Sequence, residues 1–146
     1  MGRYDSLKLG NQLCFPLYAS AREIVNLYHP HLRELDLTYT QYIAMMVLWE
    51  RGEISAREVG KLLFLDSGTL TPVLKSLEKK GYITRSRSKE DERVLLVAPT
   101  DAGMALRERA LEIPEKVGCA VRLTEEEAGT LYTLLYKILS GLPEEE

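Results

Sequence analysis

Residues 55–98 constrain the fold of this chain most strongly, because they contain two short capped helices followed by a charged hairpin. Ser55-x-x-Glu58 is a capping box, so we predict a helix that begins there and continues to residue 63. Asp66 is a suitable N-cap for a second helix over residues 67–80, which a glycine then ends. Two helices joined by so short a turn indicate a helix-turn-helix unit.

A β-hairpin is predicted directly after these helices. Residues 82–88 and 94–98 alternate or are apolar, as strands are, and the charged residues 89–93 lie between them. A helix-turn-helix followed by a two-stranded hairpin is the winged helix-turn-helix arrangement. We therefore predict a mostly α-helical fold with a small β-hairpin wing.

Further helices are predicted on both sides of this unit. The apolar spacing predicts a long first helix, which Pro16 should kink or weaken, and Pro30 should begin a separate short helix. Thr38-x-x-Gln41 and Thr124-x-x-Glu127 are capping boxes at two later helix starts. These additional helices are predicted over residues 7–27, 30–35, 39–51, 101–119 and 125–139.

The terminal helices are predicted to form a homodimer. An apolar stripe on the last helix has nothing left in the chain to cover it, and it consists of Leu131, Leu134, Leu135, Ile138 and Leu142. A length of 146 residues fits one domain. Within it we predict a DNA-binding part at about residues 39–99 and dimerisation helices at about residues 7–36 and 101–142. The acidic residues 144–146 are expected to fray.

The charge distribution fits a protein that touches DNA with one face. The net charge is −3, but residues 75–93 contain seven basic and four acidic side chains. The first residues lack the apolar core of a signal peptide, and no apolar run is long enough to span a membrane. We therefore expect a cytoplasmic protein without a membrane partner.

Two groups of residues are candidates for DNA contact. Small hydroxyl side chains at a helix start fit closely into a major groove, and an arginine at a hairpin tip can enter a minor groove. An aspartate there could hold a neighbouring arginine in position. A solvated helix start and a solvated turn are the alternatives. The candidates are Ser67, Thr69, Thr71 and Lys75 on the helix, and Arg85, Arg87, Asp91 and Arg93 in the hairpin.

The two cysteines, Cys14 and Cys119, are too few for a disulfide scaffold, and we expect thiols in a reducing compartment. Between Leu13 and Phe15 on an apolar helix, Cys14 is either a small buried hydrophobe or a reactive thiolate. Cys119 is either a chance cysteine near a helix end or its partner in redox chemistry. No histidine cluster has metal-ligand spacing, and we expect neither a metal nor a cofactor.

Several motifs together resemble the MarR family of dimeric winged-helix regulators. They are DSGTLTPVLK at residues 66–75, LEKKGYI at 77–83, DER at 91–93 and Thr100-x-x-Gly103. NQLCFPLY at residues 11–18, LTYTQY at 37–42 and LWE at 48–50 resemble the organic-hydroperoxide-sensing (OhrR) branch of that family. The resemblance covers about residues 7–139.

The resemblance implies a repressor that binds operator DNA when reduced and releases it when organic hydroperoxide oxidises Cys14. In this branch tyrosines from other helices hydrogen-bond the thiolate, and the matching residues here are Tyr28 and Tyr39. Some members carry a second cysteine, which resolves the sulfenic acid as a disulfide between subunits. Cys119 resembles that resolving thiol, and a sulfenic acid capped by a small cellular thiol is the alternative.

Three other functions remain open at the level of sequence. A MarR-type regulator of the same fold could sense a small phenolic ligand while its cysteines stay inert. A thiol peroxidase is a second alternative, although Cys14 lacks a nearby arginine–threonine constellation that would polarise a peroxide. A winged-helix module that binds only protein is the third. We expect a regulator and not an enzyme.

Overall fold

The computed structural model describes residues 1–143, so the three glutamates predicted to fray lie outside it. Two 3-10 turns, Asp5–Leu7 and Leu9–Asn11, precede the first α-helix. The helices are α1 (Cys14–Arg33), α2 (Tyr39–Arg51), α3 (Ala56–Leu63), α4 (Ser67–Lys79), α5 (Asp101–Ala110), α6 (Ile113–Ala120) and α7 (Glu125–Gly141). The strands are β1 (Ile54–Ser55), β2 (Ile83–Arg87) and β3 (Leu95–Pro99).

The helix-turn-helix and its wing have the predicted order. Strands β2 and β3 form an antiparallel hairpin in which Ile83 pairs with Pro99 and Arg87 pairs with Leu95. Strand β1 adds to the other edge of β3, so that the sheet order is β1-β3-β2. The prediction of a mostly helical fold with a small wing is confirmed. The sequence did not predict β1, since a strand of two residues is too short to show any periodicity.

The predicted caps are present at the starts of the helices. The Thr38 side chain accepts a hydrogen bond from the Gln41 amide, and the Gln41 side chain accepts one from the Thr38 amide. The side chains of Ser55, Asp66 and Thr124 likewise accept from the backbone three residues later. Each cap satisfies a backbone donor that the helix itself leaves free. The starts of these helices are therefore fixed by local sequence.

One hydrophobic core lies between α1, α2, the helix-turn-helix, the sheet, α5 and α6. Its fully buried side chains include Leu32, Met45, Leu48, Leu74 and Leu77. Helix α5 packs against this core with very close backbone contact, because a Cβ on Gly103 would lie 2.1 Å from the Tyr82 carbonyl oxygen. That contact explains the glycine of the Thr100-x-x-Gly103 motif.

The first helix differs from its prediction in both its start and its end. Helix α1 begins at Cys14, so Pro16 lies in its first turn, where a missing amide costs no hydrogen bond and no kink results. Pro30 does not begin a new helix but lies inside α1. The carbonyl it leaves unbonded belongs to Asn26, which is exposed and can be hydrated.

The prediction of one helix over residues 101–119 is also wrong. A turn at Leu111–Glu112 separates α5 from α6, and Pro114 occupies the second position of α6. Proline is tolerated there because the first turn of a helix has no acceptors for its amides. The turn redirects α6 so that it packs against α1.

Both ends of the chain remain uncovered. Helix α7 has no buried residue, and its large apolar side chains include Leu131, Leu134 and Ile138, each more than two-fifths exposed. Leu7, Leu9 and Leu13 at the other end are exposed even further. Within residues 1–143, no helix is long and apolar enough to cross a lipid bilayer.

Candidate DNA interface and thiol site

Helix α4 presents one face to the core and one to solvent. Leu70, Leu74 and Leu77 are buried on the core face of α4, and the predicted DNA-contacting residues lie away from it. Ser67, Thr69 and Lys75 are exposed and Thr71 is half-buried. Because the core face is fully occupied, the opposite face is free to enter a groove of DNA.

The start of α4 is held by its cap. The Asp66 carboxylate accepts a hydrogen bond of 2.8 Å from the Thr69 amide, and the Thr69 side chain and amide hold the pKa of Asp66 below its ordinary value. The carboxylate therefore remains charged, and the cap is retained, well below neutral pH. The hydroxyl-rich turn is thus rigid before any ligand arrives.

The wing carries at its tip an arginine, Arg93, whose side chain is oriented by an ion pair. The Asp91 carboxylate accepts from Arg93 Nε at 3.0 Å and from a terminal guanidinium nitrogen at 3.2 Å, and Arg93 is 90% exposed. The same arginine lowers the pKa of Asp91. A bidentate pair fixes the direction of the guanidinium and leaves its other donors free for a phosphate or base edge.

Arg85 has a different environment from the other predicted contacts. Its guanidinium lies 3.1 Å from the Glu78 carboxylate, and only 21% of its side chain is exposed. This pair joins β2 of the wing to α4, and it lowers the pKa of Glu78. The structure therefore makes Arg85 a link between wing and helix, while Arg87 remains exposed on the same strand.

Cys14 is the first residue of α1, and its side chain is exposed and free. The first turn of a helix has unpaired backbone amides, which favour a negative charge. Leu13, Phe15 and Leu17 around it are exposed apolar side chains. The thiol thus lies at a helix N-terminus, on an exposed hydrophobic surface.

Three tyrosines and the single tryptophan form an aromatic cluster on α1 and α2. The ring centroids of Tyr28 and Tyr39 lie 5.0 Å apart, and Tyr42 lies 5.8 Å from Tyr28. Trp49 contacts Tyr42 edge-on and donates a 2.9 Å hydrogen bond to the Gly103 carbonyl. Burial raises the pKa of Tyr28 and Tyr39, and that of Tyr42 to about 12, so these phenols remain protonated donors.

Within one chain, the predicted thiolate partners do not meet the thiol. The resemblance implied that both tyrosines come from other helices than Cys14, but Tyr28 lies on the same helix as Cys14. The two residues are 14 positions apart, which corresponds to roughly 21 Å along a helix. Their side chains cannot span that distance. Tyr39 packs against Tyr28 and is therefore on the distant side as well.

Cys119 is exposed and free near the end of α6, the helix that packs against α1. The family's sequence motifs alone suggested Tyr28, Tyr39 and the cysteines, and the structure adds Tyr42 and Trp49 as packing partners of the tyrosines. The contacts from Tyr42 to Tyr28 and from Trp49 to Gly103 join different helices, so no local sequence signal marks them.

A family model for the SarA/Rot transcriptional regulators matches residues 26–109, which include α2, the helix-turn-helix and the wing. The chain belongs to this family. An organic hydroperoxide resistance transcriptional regulator of Bacillus subtilis (strain 168) is 45% identical over 140 residues, covering 96% of this chain and 95% of the relative. The predicted relationship to winged-helix regulators of the organic-hydroperoxide branch is confirmed.

Solved structures of AbfR, a protein of Staphylococcus epidermidis, are also similar to this SarA/Rot-family regulator. Reduced AbfR bound to DNA superposes with a TM-score of 0.78 at 32% identity, covering 97% of this chain and 98% of the other. AbfR with a disulfide formed superposes with a TM-score of 0.60 at 33% identity, covering 94% of each chain. The conformation described here is thus closer to the DNA-bound form of that relative than to its disulfide form.

Proposed function

We propose that this regulator is a homodimeric repressor that binds operator DNA when reduced and releases it when an organic hydroperoxide oxidises Cys14. The observation that carries the proposal is the position of Cys14. It is an exposed thiol in the first turn of α1, on an apolar surface that the chain itself does not cover. The similarity to the Bacillus subtilis hydroperoxide-resistance regulator supports the same class of oxidant.

The DNA interface consists of α4 and the tip of the wing. Ser67, Thr69, Thr71 and Lys75 read and anchor in the major groove, since they lie at the start or on the free face of α4. Arg93, held by Asp91, enters the adjacent minor groove, and Arg87 contacts the backbone. Arg85 supports this surface through Glu78 instead of contacting DNA directly.

The second copy covers the two ends of the chain. Residues 39–99 form the DNA-binding part, and residues 7–36 and 101–142 form the dimer interface. Helix α7, without a buried residue, and the exposed leucines near Cys14 together supply the apolar area that an obligate dimer buries. Two symmetric α4 helices then face two half-sites of a pseudo-palindromic operator.

The thiol site is completed across this interface. Because Tyr28 and Tyr39 cannot reach the Cys14 of their own chain, the partner subunit brings its pair of tyrosines to it. Within residues 1–143, no other side chain or backbone group takes a hydrogen bond from either hydroxyl. These protonated phenols are therefore available to donate to a thiolate, while the surrounding apolar side chains favour a hydrophobic hydroperoxide.

The oxidation takes place in two steps, formation of a sulfenic acid and formation of a disulfide. The Cys14 thiolate attacks the terminal oxygen of the hydroperoxide, so that an S–O bond forms and the O–O bond breaks. The alkoxide leaves and takes a proton to become an alcohol, and the product is a sulfenic acid. The Cys119 thiol of the partner then attacks that sulfur, forming a disulfide and releasing water. The disulfide pulls α1 of one subunit towards α6 of the other and so changes the spacing of the α4 helices.

A DNA-binding titration tests this function. We expect reduced wild-type protein to bind operator DNA and to lose affinity by roughly 5–150-fold after one equivalent of an organic hydroperoxide, the usual range for such coupling. The Cys14→Ser protein should bind equally well and not respond, because a hydroxyl supplies no thiolate at neutral pH. If the Cys14→Ser protein still releases DNA, or the oxidised wild type does not, the proposed function is wrong.

A further inference from the structure

Gln41 is the one buried polar side chain in the described part of the chain, with 6% of its surface exposed. Its side-chain amide bonds both to the cap of its own helix and to the end of α4. Its oxygen accepts from the Thr38 amide at 3.0 Å and from Lys80 Nζ at 3.0 Å, and its nitrogen donates to Ser76 Oγ at 2.9 Å. A side chain required only to cap α2 would need the first of these bonds alone.

Lys80 extends this network to the loop between α1 and α2. Its ammonium donates to the Asp36 carbonyl at 2.6 Å and lies 3.7 Å from the Asp36 carboxylate. Asp36 has a φ of 56°, a left-handed conformation that a residue with a Cβ rarely adopts, so its carbonyl points in a defined direction. One ammonium therefore joins the α1–α2 loop and the start of α2 to the end of α4.

The network lies within one helical turn of the proposed thiolate partner. Tyr39 is the first residue of α2 and Gln41 is the third, and the capping box holds both in a single rigid turn. Any displacement of Tyr39 that follows oxidation therefore moves Gln41 as well. Tyr39 also packs against Tyr28 of α1 and against Tyr42, one turn further along α2.

Helix α4 is held on two flanks by different polar contacts. Ser76 faces Gln41 of α2 on one flank, and Glu78 faces Arg85 of the wing on the other. Met45 and Leu48 of α2 and Leu74 and Leu77 of α4 also share one apolar core, whose attraction has no preferred direction. Hydrogen bonds at a fixed distance and angle resist sliding, so they transmit a displacement.

We propose that Gln41, Ser76 and Lys80 are positioning residues that transmit the redox state of the thiol site to the DNA-binding helix. This inference rests on the function proposed above. It assigns the direction of the transmission: the first turn of α2 moves with Tyr39, and the three side chains carry α4 with it. Without them, oxidation would still occur but α4 would keep its DNA-binding position.

The test uses the full-length dimer and measures DNA affinity in both redox states. Ser76→Ala removes one contact of the network from the α4 side, and Lys80→Met removes the contacts of the ammonium with Gln41 and Asp36. Lys79→Met is the matched control, because it removes the same charge from a neighbouring lysine that makes no ion pair or side-chain hydrogen bond within residues 1–143. Intact mass confirms that every variant has reacted to the same extent.

We expect Ser76→Ala and Lys80→Met to bind DNA within about threefold of wild type when reduced and to retain most of that affinity when oxidised. The ratio of oxidised to reduced Kd should therefore fall from the roughly 5–150-fold expected for wild type to about threefold or less. Lys79→Met should keep the wild-type ratio. An unchanged ratio in both variants, or a loss of affinity confined to the reduced protein, overturns the inference. Failure of wild-type protein itself to respond would instead refute the proposed function.

Discussion

The winged-helix part and the two ends of the chain differ in how completely one copy can fold them. In the winged part, α2, α4 and the sheet bury a continuous core that includes Met45, Leu48 and Leu77. At the ends, α7 buries nothing and the leucines around Cys14 face solvent. The DNA-binding surface is therefore built within one chain, whereas the thiol site proposed above needs two. This separation allows a change at the interface to act on DNA binding without unfolding the DNA-binding part.

The largest effect is expected from a charge on the uncovered face. Leu134→Glu should convert the dimer to monomers, because burying an unpaired carboxylate costs about 3–5 kcal/mol. The winged part should still melt cooperatively, since its core is complete in each chain. Sedimentation and thermal melting measure the two properties. Thr133→Glu on the opposite side of α7 is the control, and a Leu134→Glu protein that remained dimeric would contradict the division.

The converse change lies in the core of the winged part. Leu74 is 2% exposed, so Leu74→Ala should lower the free energy of unfolding by about 2–5 kcal/mol through lost burial and a new cavity. Denaturant unfolding measures this loss. At temperatures where the variant remains folded, the dimer dissociation constant should be unchanged. A weakened dimer would contradict the comparison made above, because it would show that the exposed faces of α7 and of the residues around Cys14 depend on this core.

A smaller effect is expected at the wing tip. Arg93→Ala should weaken operator binding and reduce the slope of log K against log salt by about 0.9, the value for one lost phosphate-type contact. Arg107→Ala on α5 removes the same charge away from the wing and should leave the slope unchanged. Titrations at several salt concentrations measure both. An identical slope for Arg93→Ala and wild type would remove Arg93 from the interface.

Local signals in the sequence predicted the winged part well. The caps at Thr38, Ser55 and Asp66 fixed three helix starts, because a cap is a contact between residues three positions apart. The hairpin followed from its charged turn between an alternating strand and an apolar one. These features depend on a few neighbouring residues, which is why a single sequence was enough to predict them.

The misses have two physical causes. Proline disturbs a helix largely because it lacks a backbone amide that donates a hydrogen bond. Pro16 and Pro30 both lie where the loss of that donor costs little free energy, so α1 continues through both positions. Tertiary contacts leave no local signal, so the ion pair between Arg85 and Glu78 of α4 was not predicted. The same holds for Gln41, whose capping role was predicted while its bond to Ser76 was not.

The most direct test of the two-copy thiol site uses a mixed dimer. One subunit carries Cys14→Ser with a first affinity tag, and the other carries Cys119→Ser with a second tag. Such a dimer retains one Cys14 and one Cys119 on different chains. The account predicts that one equivalent of organic hydroperoxide links the two chains on a non-reducing gel and that a reductant separates them. An oxidised mixed dimer that gains oxygen at Cys14 but never cross-links would contradict it.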